Sequence, residues 1–564
     1  MNVMTIFKRI FLISATLLIG ITYSYGQSDK YIEALRYYQN EELSKAKALL
    51  LQEIADNPDN DAAYYYTALI LSRDESNKVE TEQYLKKALE IDPGNYWYKY
   101  YLALFYANTD RIELTTVLLE DLIAEYPKKS DLYFDAVNAY LNQNDMEKAL
   151  NTLDKIEAIN GKNEIIGLTK MDLLLKQAGN KESDAYAFLE EYYKDCKTPR
   201  IAAMIGDYYV RMYNDSTALS YYDQALDLNP DYTPAYYGKA HIYQILRKYD
   251  KYFESISHFI KDANIRPEAK VEYLNDILSS SNFMRAFGPE VDSMMVDVHL
   301  THPKDSTINT LLGLYYYQTE RQYLSIEVLR QNHELYPESK NATMQYAMIL
   351  YYCQVWDELI NVVNPILADQ PGDIDLLQLR AIANWQSGNE PGAIDDYLRL
   401  TKLAPKDSAV TVFANSALGD LYHLSNQSKK AYQHYEKALK ANPDYAPVLN
   451  NYAYYLSEEG KSLKKAQNMS RKTVEQEPDN PTYLDTYAWI LHLLGQDVEA
   501  KALFKHAMLY GGKESAVILD HYAEVLYSLK EYDLAYIYWN QANSLDNTLG
   551  IDRKVKQKKQ EQPK

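Results

Sequence analysis

The sequence predicts an all-α fold: a solenoid of helical hairpins, a superhelical rod of about fifteen repeats with an irregular segment near the middle. Three observations predict it. The first is a phrase written twice: residues 218–243 read ALSYYDQALDLNPDYTPAYYGKAHIY, and residues 431–456 read AYQHYEKALKANPDYAPVLNNYAYYL. The second is a ladder of prolines. Pro58, Pro93 and Pro127, and in a second run Pro230, Pro267, Pro303, Pro337, Pro371, Pro405, Pro443 and Pro478, follow one another within each run at gaps of 34 to 38 residues. The third is what stands between them. With each proline set at position 32, position 8 is small at Ala34, Ala103, Gly206, Ala240, Gly313, Ala347, Ala381 and Gly419. Position 11 is Tyr at Tyr37, Tyr106, Tyr140, Tyr209, Tyr243, Tyr316 and Tyr422.

Each element follows from that spacing. Positions 4, 7, 8 and 11 share one face of a first helix. Position 20 is Ala at Ala46, Ala149, Ala218, Ala393 and Ala431, and position 24 is large at Leu50, Leu85, Leu119, Tyr222, Leu329, Tyr397, Tyr435 and Phe504. With position 27 these share one face of a second helix. Small residues at 8 and 20 let the two helices approach closely, and the large residue at 24 fills the gap between neighbours. The proline ends the second helix, and NPD and PDN triplets supply the turn. One hairpin cannot hide its apolar stripe alone, so the unit is repeated until neighbours hide it.

This pattern of small-8, Tyr-11, Ala-20, aromatic-24 and Pro-32 at a period near 34 resembles the tetratricopeptide repeat (TPR). The resemblance covers most of residues 27–546. It is strong at 199–230, 306–337, 412–443 and 481–508, and weaker at 62–93, which carries an ESNK loop, and at 164–198. Residues 267–303 depart from it: they lack the small residues and hold Gly288-Pro289. The expected organisation is a leader at 1–26, an N-terminal array at 27–265, a degenerate helical repeat or hinge at 266–305, a C-terminal array at 306–548 and a basic tail at 549–564.

Composition agrees with a packed helical array. Gly and Pro are scarce at 19 each among 564 residues, and Tyr is abundant at 56. Tyr combines a large apolar body with a polar tip, which suits helix seams that end in water. Lys8-Arg9 precede the apolar run IFLISATLLIGI, and Ser24 and Gly26 are small, so a signal peptide cut before Gln27 is expected, with an uncleaved anchor as the alternative. Such a chain is exported, to the periplasm of a Gram-negative bacterium or beyond the cell. Loss of Lys8 and Arg9 takes the net charge from −20 to −22, which repels phosphate backbones and argues against nucleic acid. The tail RKVKQKKQEQPK reads either as a solvated helix end or as a contact with an acidic partner or membrane surface. Cys196 and Cys353 fall five repeats apart and read as buried small hydrophobes without a bridge.

The TPR resemblance implies a concave surface lined by positions 2, 5, 9, 12 and 13 of each first helix. Carried over by position, it offers Tyr31, Tyr38, Tyr66, Trp97, Tyr100, Phe134 and Asn138, then Lys170, Arg200, Asp207, Arg211, Tyr237 and His241. The C-terminal array offers Tyr317, Asn341, Tyr351, Tyr352, Trp385, Asp420, His423, Asn450, Tyr454, Asp485, Trp489, His492 and Tyr527. The rings either pack between adjacent first helices or form a rigid surface for a peptide or partner protein. Aromatic faces also stack on sugars, so a glycan is the alternative ligand. Lys170, Arg200 and Arg211 either grip a carboxylate or form local ion pairs. The Lys/Asn/Arg clamp of chaperone-binding TPR domains is absent.

No catalytic set is legible, and no cofactor or metal is implied. There is no His-Glu-x-x-His, Walker loop, GxSxG or CxxC. His299 and His302 lack a third ligand. Ser462 of SLKK reads as a helix cap and GGK at 511–513 as a helix stop. The sequence therefore predicts a non-catalytic scaffold that binds protein or peptide and assembles or regulates a cell-envelope complex, with a carbohydrate-binding accessory protein as the alternative.

Overall fold

The computed structural model describes residues 28–177 and 181–561, and among these residues every regular element is helical. The expected leader at 1–26 lies outside the described residues. The chain divides into two compact units, Met1–Asp262 and Ala263–Lys564.

In the first unit, helices pair in chain order as α1 (Asp29–Gln39) with α2 (Leu43–Asp56), α3 (Asp61–Leu71) with α4 (Lys78–Ile91), α5 (Tyr96–Asn108) with α6 (Ile112–Glu125) and α7 (Ser130–Asn142) with α8 (Met146–Asn160). Next come α9 (Glu164–Lys176) with α10 (Glu182–Asp195), α11 (Pro199–Arg211) with α12 (Asp215–Leu228) and α13 (Thr233–Ile245) with α14 (Tyr249–Lys261). The weakly patterned stretches at 62–93 and 164–198 are thus complete hairpins. The ESNK loop is a 3-10 turn over Glu75–Asn77.

The second unit opens with α15 (Pro267–Leu278) and α16 (Ser281–Thr301). The helix α16 is long and broken at Phe287, whose φ of −132° and ψ of 31° are not helical, two residues before Pro289. A proline inside a helix removes a backbone donor and crowds the preceding turn, which accounts for the break. Regular hairpins follow: α17 (Ser306–Gln318) with α18 (Gln322–Leu335), α19 (Lys340–Tyr352) with α20 (Trp356–Asp369), and α21 (Ile374–Gln386) with α22 (Glu390–Leu403). Then come α23 (Ser408–Leu424) with α24 (Ser428–Ala441), α25 (Ala446–Glu458) with α26 (Leu463–Gln476), and α27 (Pro481–Leu493) with α28 (Asp497–Ala507). The last hairpin is α29 (Ala516–Ser528) with α30 (Tyr532–Leu545), and α31 (Ile551–Glu561) packs on α30. The described residues thus hold fifteen hairpins and one further helix. Pro267 is an exception to the proline rule, because it opens α15 instead of closing a hairpin.

The packing is the one the positions predict. Ala46, Ala149, Ala218, Ala393 and Ala431 are fully buried, and so are Leu50, Leu329, Tyr435 and Phe504. A Cβ built on Gly206 would stand 2.7 Å from Tyr222 Cε1, so only a glycine admits that ring. Gly238, one hairpin further on, closes on the same ring from α13. Between the two helices of most hairpins the chain turns through one left-handed residue. This residue is glycine at Gly388, Gly460 and Gly495, but Tyr213, Arg247, Glu320 and Lys530 take it elsewhere, with φ between 56° and 63°. The next amide then bonds back five residues, as Asn214 N–H does to the Tyr209 carbonyl at 2.9 Å, and closes the first helix.

Two local expectations change, at Ser462 and at the cysteines. Ser462 is itself left-handed, with φ 50°, and its hydroxyl caps nothing, because that backbone aims it away from the first amides of α26. Cys196 and Cys353 are free but half-buried, since each sits at a helix end and not on a packed face. The basic tail is helical as far as Glu561, and Lys554 and Lys558 lie on acidic residues of α29, with Lys554 Nζ 2.7 Å from both Asp520 carboxylate oxygens, while Arg553, Lys556 and Lys559 are exposed.

Candidate functional site

Two aromatic surfaces arise from the first helices of successive hairpins, one in each unit. In the first unit the expected rings pack on one another. Tyr66 of α3 lies edge-on to Tyr38 of α1 at 5.2 Å and beside Tyr65 at 5.5 Å. Tyr65 meets Tyr101 of α5 at 5.4 Å, and Tyr101 adjoins Trp97 and Tyr100. Tyr100 donates its hydroxyl to Asp135 of α7 at 2.9 Å. Burial pushes the Asp135 carboxyl up to about 6 against that hydrogen bond. Phe134 packs partly buried against the core beside it, and Asn138 is exposed.

The basic trio does not form a free cationic site. Lys170 is buried and paired with Asp154 at 2.6 Å and with Glu157. Arg200 faces Glu164 at 3.8 Å, and Arg211 holds Glu182 at 2.7 Å and the Tyr186 hydroxyl at 3.0 Å. Asp207 accepts from Tyr222 at 2.6 Å while remaining exposed, and partial desolvation raises its pKa. Tyr237, 5.1 Å from Phe259, and His241 are exposed on α13.

In the second unit Tyr317, Tyr352, Tyr351 and Trp356 run ring to ring at 5.4 to 6.0 Å. Trp385 stands edge-on to Tyr397 at 6.3 Å. Further along, α23, α25, α27 and α29 present a wall in which polar groups alternate with rings. Asp420 accepts from Tyr435 at 2.5 Å and from Asn451 at 3.1 Å, and burial still raises its pKa. His423 stacks on Tyr455 with centroids 3.4 Å apart, and burial lowers its pKa. Trp489 stacks on His521 at 4.2 Å, and His521 pairs with Asp485 at 2.9 Å. Burial alone would lower the His521 pKa, but the Asp485 charge and hydrogen bond outweigh it and raise it. Tyr454, 6.4 Å from the His521 ring, has its hydroxyl pushed up to about 12 by burial.

Three polar atoms of this wall are buried without a partner: His423 Nδ1, Asn450 Oδ1 and Trp489 Nε1. Each such atom costs on the order of 1–3 kcal/mol. Sequence reasoning named all three residues from their helix positions but missed His521. The signal for it was present: Asp485 and His521 are 36 residues apart, about one repeat, which places them at matching heights on adjacent first helices. Tyr100 and Asp135, 35 apart, follow the same rule. His299 and His302 serve the fold. His299 Nδ1 meets Asn309 Oδ1 at 2.9 Å and His302 Nε2 meets Lys270 Nζ at 2.8 Å. Among the described residues no three His, Cys, Asp or Glu side chains gather as metal ligands.

Comparison with known proteins bears on this geometry. Family models described as "Tetratricopeptide repeat" match residues 31–96, 414–445 and 434–467. The chain carries tetratricopeptide repeats. The last two matches fall on α23 to α26, the part of the wall that holds Asp420, His423 and Asn450. The chain is 24% identical over 140 residues to human protein O-mannosyl-transferase TMTC1, which is 25% of this chain and 16% of the length of that relative. Similar solved structures include Naa15/Naa10 bound to HypK-THB, with a TM-score of 0.35 and 14% identity over 94% of this chain and 96% of that one. A TPR protein from Parabacteroides merdae gives 0.36 and 15% over 45% of this chain and 98% of that one. Yeast Tom70 gives 0.31 and 14% over 89% and 96%. Among the described residues no helix is long and apolar enough to cross a membrane.

Proposed function

We propose that this protein is a non-catalytic scaffold that binds a protein or peptide along the wall of α23, α25, α27 and α29. The observation that carries this reading is the run of partly exposed rings on that wall, with His423 stacked on Tyr455, Trp489 stacked on His521 and Tyr454 beside them. An extended peptide offers side chains at short intervals to pack on such rings. Rigid aromatic anchors in partly desolvated sites give such interfaces most of their energy, on the order of 2 kcal/mol or more each. An exported, periplasmic chain that helps assemble or regulate an envelope complex is the setting this reading adopts. It rests on the residue pattern at 1–26 and on the acidic composition.

Photo-crosslinking tests the reading. A photoreactive residue at Tyr454 should trap one discrete protein in cells, and the same residue at Lys437 of α24, on a second helix, should not. Equal adducts from both positions would remove the wall from the account. A second reading, saccharide binding, is favoured by a separate cavity of about 410 Å³ lined by Gln354, Val355, Trp356, Asp357 and Ser387. An indole face beside amide, carboxylate and hydroxyl groups is suited to a sugar ring. Calorimetry with a glycan panel distinguishes the two, because only saccharide binding should be lost in Trp356→Ala.

A further inference from the structure

The helix α31 lies where the first helix of a further hairpin would stack. Lys554 is 34 residues beyond Asp520, one repeat length, and reaches both oxygens of that carboxylate at 2.7 Å. It also lies 3.2 Å from Glu524, and Lys558, one turn on, lies 3.0 Å from the other oxygen of the same carboxylate. The Lys558 ammonium stands 4.7 Å over the Tyr527 ring, and the Tyr527 hydroxyl donates to the Lys558 carbonyl at 2.9 Å. Beneath them Trp539 donates its indole N–H to Asp520 at 2.8 Å. This face of α29 and α30 is therefore built to receive lysines spaced four apart on a helix.

The hold on α31 is slight compared with that on a true repeat. Ile551 is its one fully buried side chain, with Val555 half-buried against the core. The Lys554 and Lys558 side chains keep about a third of their surface exposed. Ion pairs at that exposure contribute little and weaken as salt screens them. An isolated helix of eleven residues is also marginal in water. By contrast α29 buries Ile518, Leu519, Tyr522, Ala523, Val525 and Leu526. The face is thus better formed than its occupant is held.

We propose that α31 is a displaceable occupant of an acidic, aromatic docking face formed by Asp520, Glu524 and Tyr527, and that the external partner this face fits is a lysine-bearing amphipathic helix. Its recognition pattern is the one α31 displays: apolar, two residues, Lys, apolar, two residues, Lys, as in Ile551-x-x-Lys554-Val555-x-x-Lys558. The charge of the rest of the chain favours the same occupant, since five of the basic residues fall within 553–559 while the whole protein carries −20. The proposal shares α29 with the wall but uses Asp520, Glu524 and Tyr527, and it does not depend on what binds at His423, Tyr454 and Trp489.

The test uses the full chain and a fluorescent peptide with the sequence of residues 549–561. In a K554E/K558E variant the peptide should bind at least 10-fold more tightly than to the wild type. Asp520→Lys in that background should abolish binding, and a peptide with its lysines changed to Glu should not bind. Equal affinity in wild type and variant, or indifference to Asp520→Lys, would overturn the proposal. Hydrogen exchange on the unmodified protein supplies a readout free of folding defects. Raising salt from 0.05 to 0.5 M should speed exchange across 551–561 at least 10-fold while α29 stays protected. Unchanged protection of 551–561 would make α31 a permanent cap, and dimerisation of the wild type as salt rises would assign the face to a second copy. Either result contradicts the proposal.

Discussion

Gly206→Ala examines the packing rule on which the fold is built. The new Cβ would stand 2.7 Å from Tyr222 Cε1, 2.9 Å from Cδ1 and 3.1 Å from Cζ. The ring cannot retreat, because Gly238 of α13 closes on its other side and Tyr222 is 1% exposed. Forcing one methyl into a filled core costs about 1–3 kcal/mol. Displacing the ring also breaks the 2.6 Å bond from the buried Tyr222 hydroxyl to the Asp207 carboxylate, a further loss of about 1–3 kcal/mol. Alanine returns about 1 kcal/mol of helix propensity. The balance is a destabilisation of about 3 kcal/mol. Repeat arrays couple mainly to nearest neighbours, so the loss should be local. Amide exchange should quicken on the order of 100-fold across residues 199–261 and stay unchanged in α17 to α30. Gly288→Ala is the control: a Cβ there meets nothing within 4 Å, so it should be neutral or stabilising by up to about 1 kcal/mol. If Gly206→Ala stabilises as the control does, the close approach of ring to glycine is not what holds the hairpins together.

Other consequences follow from charge and backbone. The Asp135 carboxyl is pushed up by burial from 3.8 to about 6, so the folded state holds that proton more tightly than the unfolded chain. Stability should therefore fall by roughly 3 kcal/mol as the pH rises from about 4 to about 6, and denaturation of Asp135→Asn should show this step removed. The pKa of His521 is raised against its burial by Asp485. The stability this pair contributes is present below the unfolded histidine value near 6.5 and lost as pH rises through the raised one. Imidazole NMR should show His521 titrating above the ordinary value, and Asp485→Asn should lower it. Tyr213 is 94% exposed and left-handed at φ 56°. Tyr213→Gly should stabilise by about 0.5–1 kcal/mol, since glycine adopts that backbone without steric cost.

The hairpins were legible because their packing rule is local and repeats. Ala46, Ala218 and Leu50 are buried for the same reason in every copy, so spacing alone revealed them. The turns between paired helices were less legible. Tyr213, Arg247 and Lys530 take a left-handed conformation that their side chains disfavour, because the closing hydrogen bond and the flanking helices impose it. At the candidate site, helix position picked out Asn450, Tyr454 and Trp489. The same rule also named Lys170, Asp207 and Arg211, which the fold uses for its own ion pairs and hydrogen bonds. Position on a helix says which way a residue points but not whether a neighbour one repeat away has taken its charge. The destination of the basic tail was hidden for that reason too: Asp520 and Glu524 are its partners, and only the stacking of α31 brings them together.

The central claim is that recognition takes place on the wall of α23, α25, α27 and α29. Selection of peptides from a displayed library on the immobilised full chain, followed by affinity measurement on wall variants, tests it most directly. Selected peptides should bind the wild type and lose at least 10-fold in Trp489→Ala and in Tyr454→Ala, while Trp356→Ala binds as the wild type does. Peptides that bind all three variants as tightly as the unmodified chain would contradict the account.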